Sequence, residues 1–342
     1  MQSPVVIGYT AKRIALEVIE SGGTLPLLPA AGQRLLAVIN QPVDKIDFVS
    51  FSKTVEADPA LTAKLLQLAN SSYFGTLKEI TSVRQAITYI GLEETITSVY
   101  NIFFKQALPK FPALEGFSGK DYWDQSWACA TANRMLGHPV HHQMVQAVPS
   151  ELYITGLLHG VGKIFLAINR TKQFQECIQY SREHKKPLAQ VEADLIGTTD
   201  TEIAYNVLKK WNLPEHICQA IRHYPAPFEA PKEYRGLAAL TQLAYYISNA
   251  AEIGGSGDAS EYAVAESYIA ENWALLPTEK KYQELLIKDI FATLKKKFDL
   301  LNPESKKDDD HGDSMTAGQD TAQTRAKKPH KEKGLLRRLF SW

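Results

Sequence analysis

The stretch Leu152–Ile168, LYITGLLHGVGKIFLAI, decides how the rest of the chain is read. Its apolar residues Ile154, Leu157, Leu158, Val161, Ile164, Phe165 and Ile168 recur at helical spacing, the pattern of a helix sunk in a core. A histidine, His159, interrupts it, with Gly160, Gly162 and Lys163 close behind. An imidazole in such surroundings costs free energy unless it is hydrogen-bonded or bound to a metal. His159 is therefore either a satisfied core residue or a ligand.

Outward from this stretch, the chain reads as helix after helix. Asp58-Pro59 places an N-cap acceptor before a proline at the first helical position, and Leu61, Leu65 and Leu68 then share a face. Ser82 with Gln85 forms a capping-box pattern ahead of Val83, Ile87 and Ile90. Gly91 closes that helix, and Leu92, Ile96, Val99 and Phe103 stripe the next. Leu35, Leu36 and Ile39 make an earlier stripe, and Ile46, Val49 and Val55 are expected to belong to the helix after it. Past a Pro- and Gly-richer loop over 107–120, helices are predicted at 121–136, 170–184, 187–196, 201–211 and 237–250. A last helix, 279–301, carries Tyr282, Leu286, Ile290, Leu294 and Phe298 on one side and lysines on the other, so it is expected to pack back on the domain. Residues 1–24 read as a short lead, with one or two amphipathic turns at Ile14, Ala15, Val18 and Ile19. GGSGD, at 254–258, reads as a flexible break. Strand alternation is nowhere visible, so the fold class is all-α, a multi-helix bundle in two helical halves.

Four motifs, in this order, carry a family resemblance: DPALTAKLLQLANSSYFG (58–75), TSVRQAITYIGL (81–92), GLLHGVGK (156–163) and KKWNLPEHICQAIRH (209–223). GLLHGVGK resembles the GLLHDIGK signature of HD-type metal-dependent phosphohydrolases, in which the adjacent His and Asp are both ligands. The set as a whole is similar to the HDOD (HD-related output) domain of bacterial signalling proteins. On that resemblance the chain divides into a lead (1–24), an HDOD domain (25–250), a helical extension packing on it (251–301), and a disordered linker with a basic amphipathic tail (302–342).

The resemblance also implies where metal ligands would stand. In YWDQSWACATA, Gln125 occupies the place of the first histidine, and His159-Gly160 replaces the His-Asp pair. Asp200, in GTTDTEIA, and Tyr224, next to His223, take the places of two further histidines, and Tyr245, in LTQLAYYIS, that of the closing aspartate. HD-type hydrolysis needs imidazoles and carboxylates converging on a metal that activates water, and even a minimal catalytic zinc takes three protein ligands. Glycine has no donor atom, an amide is a weak one, and neutral tyrosines are poor ones. The lost carboxylates also remove the negative charge that would offset a dication. The expectation is a pseudo-hydrolase with no metal, no cofactor and no catalytic residue. Gln125, His159, Asp200, His223, Tyr224 and Tyr245 then form a candidate ligand pocket, or pack together and fill it. A three-ligand remnant of His159, Asp200 and His223 stays open should the register slip by one residue. His138, His141 and His142 read as a solvated loop.

Bulk composition narrows the function further. The 342 residues hold 38 Lys plus Arg against 38 Asp plus Glu, so net charge points to no nucleic-acid partner. Cys129, Cys177 and Cys218 are scattered and imply no disulfide framework, which fits a reducing cytoplasm. The N-terminus lacks the pattern of a signal peptide, and no uninterrupted apolar run approaches the ~18 residues of a membrane span. GxSxG, P-loop and GxGxxG motifs are absent. The reading is a non-catalytic, cytoplasmic regulatory protein that contacts a signalling partner or binds a small phosphorylated or nucleotide ligand, with residual phosphohydrolase activity as the alternative. In the tail, Leu335, Leu336, Leu339 and Phe340 would share a helical face, with Arg337 and Arg338 beside them and Trp342 beyond. That pattern suits weak peripheral membrane contact or docking to a partner's groove.

Overall fold

Helix follows helix through the described residues of this computed structural model, which are 4–21, 30–39, 41, 45–71, 73–75, 78–137, 147–258 and 280–301. The N-terminal half holds α1 (Pro4–Ser21), α2 (Ala30–Ile39), α3 (Phe48–Glu56), α4 (Pro59–Ala69), α5 (Val83–Ile90) and α6 (Leu92–Ala107). Then come α7 (Gly119–Gly137), α8 (Pro149–Leu158), α9 (Val161–Asn169), α10 (Thr171–His184), α11 (Leu188–Leu195), α12 (Asp200–Lys210) and α13 (Glu215–His223). Two short 3-10 turns lead to α14 (Arg235–Ala250), and the last described helix is α15 (Lys280–Leu301). Among the described residues there is no strand, only an isolated bridge between Leu114 and Phe117.

The local signals act as their chemistry requires. The Asp58 carboxylate accepts from the Leu61 amide at 3.0 Å and starts α4, and the Ser82 hydroxyl accepts from the Gln85 amide at 3.2 Å to start α5. The reciprocal bond of that box lands one residue early, since Gln85 Oε1 accepts from the Thr81 amide at 2.8 Å. Gly91, at φ +87°, forms the junction between α5 and α6.

Two apolar clusters organise the packing. The larger runs through the N-terminal helices and α7 to α13, with Tyr100, Phe104, Leu158, Ile164 and Ile203 fully buried. The second lies where α7 and α8 meet α14 and α15, and contains Ala128, Ala132, Leu243, Ile247, Ile290 and Leu294. There α15 buries Ile287, Ile290, Phe291 and Leu294, and Lys297 Nζ reaches Glu94 at 3.0 Å. The expected face of this helix is correct in register, and the side chain of Tyr282 lies outside the described residues.

Four expectations are corrected. The lead is a helix of 18 residues lying against α9 and α12, with Ala15, Val18 and Ile19 buried and Asn169 Nδ2 donating to the Val18 carbonyl at 2.8 Å. Each full burial of a branched aliphatic side chain is worth roughly 1.5–3 kcal/mol, so α1 is a structural part of the bundle. Val49 and Val55 lie on α3 as expected, but Ile46 precedes the helix, whose N-cap is Asp47 and whose buried face runs through Phe51, Ser52 and Val55. The central stretch is two helices, α8 and α9, broken at His159-Gly160. Counted across that break, Pro149–Asn169 is long and apolar enough to cross a membrane, but 94% of its 18-residue apolar window is buried inside the protein, as befits a core helix. The fourth correction, at GGSGD, belongs to the site.

Candidate functional site

The break between α8 and α9 delivers His159 into a closed chamber walled by α7, α12, α13 and α14. Its Nδ1 lies 2.7 Å from the Gly156 carbonyl, and the ring is 1% exposed. Burial, reinforced by the nearby charge of Lys163, pulls its pKa down to about 3. The imidazole is therefore neutral, Nδ1–H donates to Gly156, and Nε2 is the bare nitrogen. Tyr224 and Tyr245 pack edge-on against it at centroid distances of 5.4 and 5.3 Å, and 5.5 Å separates their own centroids. Gln125 turns aside, its amide donating to Ser248 Oγ at 3.1 Å. These side chains fill the chamber with one another's rings and amides.

Lys163 reaches the same chamber from α9 and is 2% exposed. Its Nζ donates to the Ser256 carbonyl at 2.8 Å and lies 5.7 Å from the centre of the Tyr245 ring. The Tyr245 hydroxyl donates to Ser256 Oγ at 2.8 Å. GGSGD is thus a fitted cap over the chamber rather than a loose break. Gly254, at φ +65°, sits where any Cβ would overlap the Asp121 carbonyl of α7, so only glycine allows the cap to seat.

Beneath Lys163 lie two buried carboxyls, Glu192 of α11 and Asp200 at the first turn of α12. Glu192 Oε2 accepts from the Asp200 amide at 2.7 Å, while Glu192 Oε1 and Asp200 Oδ2 have no conventional donor. One proton shared between those two oxygens satisfies both, and the side chains are within hydrogen-bonding reach of each other. Burial raises both pKa values, and the charge of Lys163 opposes the rise. Glu192 is pushed well above the usual carboxylate range and holds the proton, leaving Asp200 as the anion facing Lys163.

The pH dependence follows with opposite signs. His159, with its folded pKa depressed, contributes stability that is present above its unfolded value and lost as pH falls from about 6.5 towards 3. Glu192, with its folded pKa raised, contributes stability that is full below its unfolded value and lost as pH rises through the folded one. Glu192→Gln keeps a donor to Asp200 and an acceptor for its amide but cannot ionise. Its stability relative to wild type should therefore climb between pH 5 and pH 9, by about 1.4 kcal/mol for each unit by which the fold raises Glu192. Urea melts across that range check it, and parallel curves for the two proteins would contradict the shared proton.

The donor set does not suit the metal that the sequence resemblance implies. At Gly160 there is no side chain, and a Cβ there would already lie 3.3 Å from the Tyr122 ring. Tyr224 and Tyr245 are held neutral by burial and by the charges of Asp200 and Asp258. A buried ammonium stands beside the one carboxylate, and among the described residues no three His, Cys, Asp or Glu side chains are placed to share an ion. The remnant of His159, Asp200 and His223 is not assembled: His159 and Asp200 are in the chamber, and His223 is half-buried on the wall of a separate cleft. Of the six candidate pocket residues, His159, Tyr224 and Tyr245 pack ring against ring, the charge of Asp200 reaches both tyrosines, Gln125 is turned to Ser248, and His223 faces the separate cleft. The run His138, His141 and His142 and the tail residues Leu335, Leu336, Arg337, Arg338, Leu339, Phe340 and Trp342 lie outside the described residues.

Sequence reasoning passed over Lys163, Glu192 and Ser256. Glu192 was detectable, because Leu188, Val191 and Glu192 recur at core-facing helical spacing and the carboxylate is the odd member. Lys163 stands likewise among buried apolar residues of α9.

Comparison with known proteins adds the family. The HDOD domain family matches residues 25–227. An uncharacterized protein of Treponema pallidum (strain Nichols) is 24% identical over 234 residues, which is 68% of this chain and 44% of that protein. The chain thus spans less than half the length of that curated relative. Among solved structures, an HDOD domain protein of unknown function from Geobacter sulfurreducens has a TM-score of 0.68 at 21% identity, covering 85% of this chain and 99% of its own. A candidate signal transduction protein from Marinobacter aquaeolei VT8 has 0.69 at 19%, covering 87% and 66%. A candidate phosphohydrolase from Shewanella amazonensis SB2B has 0.58 at 22%, covering 82% and 93%. At such identities the structural likeness speaks for the fold alone.

Proposed function

Because the chain belongs to the HDOD domain family, we propose that it is a regulatory protein of signal transduction that acts by contact and not by hydrolysis. The observation that supports this reading most is the chamber itself. The His159, Tyr224 and Tyr245 rings pack against one another, His159 is bonded to Gly156, Gln125 to Ser248 and Tyr245 to Ser256 of the cap, and the positive charge comes from Lys163. A site built for hydrolysis would leave an open metal position and a route for water. The scaffold that remains offers helical faces to a partner protein and a surface cleft to a small ligand. Purified full-length protein should not turn over a generic phosphodiester or nucleoside phosphates in the presence of Mn(II), Fe(II) or Mg(II). Turnover that chelator abolishes and metal restores would overturn the reading.

The tail supports a second contact. In sequence, its basic residues beside Leu335, Leu336, Leu339 and Phe340 suit an anionic bilayer, at about 1 kcal/mol per basic residue near the surface. Flotation with vesicles containing phosphatidylserine should be lost on deleting residues 325–342. Flotation that survives the deletion would place the membrane contact elsewhere.

A further inference from the structure

A cleft of about 690 Å³ opens to solvent between α11, α12, α13, α14 and the turn at 227–229. Its walls include Gln190, Glu202, Arg222, His223, Phe228 and Gln242. We propose that this cleft binds a flat, uncharged heteroaromatic ligand of the nucleoside class. The proposal deepens the small-ligand side of the reading above and rests on it.

Charge excludes the phosphorylated alternative. The charge of the Arg222 guanidinium is offset by Glu202, with Nε donating to Glu202 Oε2 at 2.7 Å and its plane over the Tyr205 ring at 4.8 Å. Burial and the neighbouring Arg222 lower the pKa of His223, so its imidazole is neutral near pH 7. Glu229, also on the wall, then leaves the cleft with one net negative charge. A phosphate, carrying one to two negative charges, would enter against that field and would have to compete with Glu202 for the one cation on the wall.

Shape and hydrogen bonding favour a ring. The Phe228 side chain is 45% exposed at the cleft, and Pro187, Pro225 and Pro227 line it alongside, which suits a planar body. Gln242 Nε2 donates to the Pro225 carbonyl at 3.0 Å, so this amide is fixed and offers its Oε1 as an acceptor. The Gln190 amide and the His223 imidazole add a donor and an acceptor at other points of the wall. A cleft of this volume suits a drug-sized molecule, and few, fixed polar groups on an apolar lining are what orients one.

Calorimetric titration of the full chain with adenosine, guanosine, cytidine and uridine, and with their 5′-monophosphates, tests the proposal. At least one nucleoside should bind, and its monophosphate should bind about tenfold more weakly or not at all. Phe228→Ala, at an exposed ring, should weaken the nucleoside by about tenfold, in line with the usual worth of base–aromatic stacking. Glu229→Ala should narrow the gap between nucleoside and monophosphate. Absence of binding by all four nucleosides, equal or tighter monophosphate binding, or unchanged affinity in Phe228→Ala would each overturn it. Nucleoside binding in a protein that also hydrolyses phosphoesters would sink the non-hydrolytic reading alone. Failure of all four nucleosides in a protein without turnover would sink only this one.

Discussion

Lys163→Met should destabilise the protein by about 1–3 kcal/mol, the usual cost of leaving a buried acceptor without its charged donor. Methionine has nearly the shape of the lysine stem, so the loss reports charge and hydrogen bonding rather than a cavity. Without the ammonium, the Asp200 carboxylate loses the nearby positive charge and keeps only Glu192 and backbone N–H groups of its own turn, and the Ser256 carbonyl loses its donor. The anion's escape is to take up a proton. The folded-state pKa of Asp200, already raised by burial, should therefore rise further in the variant. An acid whose folded pKa is raised loses stability as pH climbs, so the deficit should be smaller at pH 5 than at pH 8. Asp200→Asn in the same background removes the orphaned charge and should recover a large part of the loss. Urea denaturation of the three proteins at both pH values decides it. A single-variant loss below about 1 kcal/mol, or a deficit independent of pH, would show that Lys163 does not carry the charge balance of the chamber.

Gly162→Ala should be destabilising by about 2–4 kcal/mol, although alanine is the better helix former by about 1 kcal/mol. The two effects have opposite signs, and the neighbours of the added methyl decide between them. Built on this backbone, a Cβ at Gly162 overlaps the Asp200 carbonyl oxygen and lies 2.7 Å from its carbon and 3.0 Å from the Ala204 amide nitrogen. All three are backbone atoms of α12 and cannot rotate away, so α9 and α12 must part and disturb the first turn that carries Asp200. Overpacking of this kind ordinarily costs 1–3 kcal/mol and more where backbone meets backbone, which outweighs the propensity gain. Thermal and urea melts of the variant provide the check. A variant as stable as wild type would mean that the helices are not in contact there.

Local physics made most of the helices legible. The Asp58 and Ser82 caps, the Gly91 junction and the apolar stripes of α6 and α14 are each settled by residues within a turn or two of one another. The extent of α1 was hidden because Gly8, Tyr9 and Thr10 dilute its apolar stripe, and contact with α9 and α12 supplies what the sequence pattern lacks. Gln125, His159, Asp200, Tyr224 and Tyr245 are legible through their motif positions, and the fold packs the rings of His159, Tyr224 and Tyr245 against one another. Lys163 and Ser256 are not legible, since their bond joins an ammonium to a backbone carbonyl 93 residues away, and a carbonyl has no residue signature. Lysine is by default a surface residue, and glycines around a serine by default a hinge. Here both defaults yield to long-range packing.

The central claim is that Lys163 and the packed rings, not a metal ion, complete this chamber. It is tested most directly by the metal content of full-length protein, first stripped with chelator, then dialysed against Mn(II), Fe(II) or Zn(II) and freed of excess. Bound metal far below one equivalent, unchanged by His159→Ala, is the result expected. Close to one equivalent in the wild type, lost in His159→Ala, would contradict it.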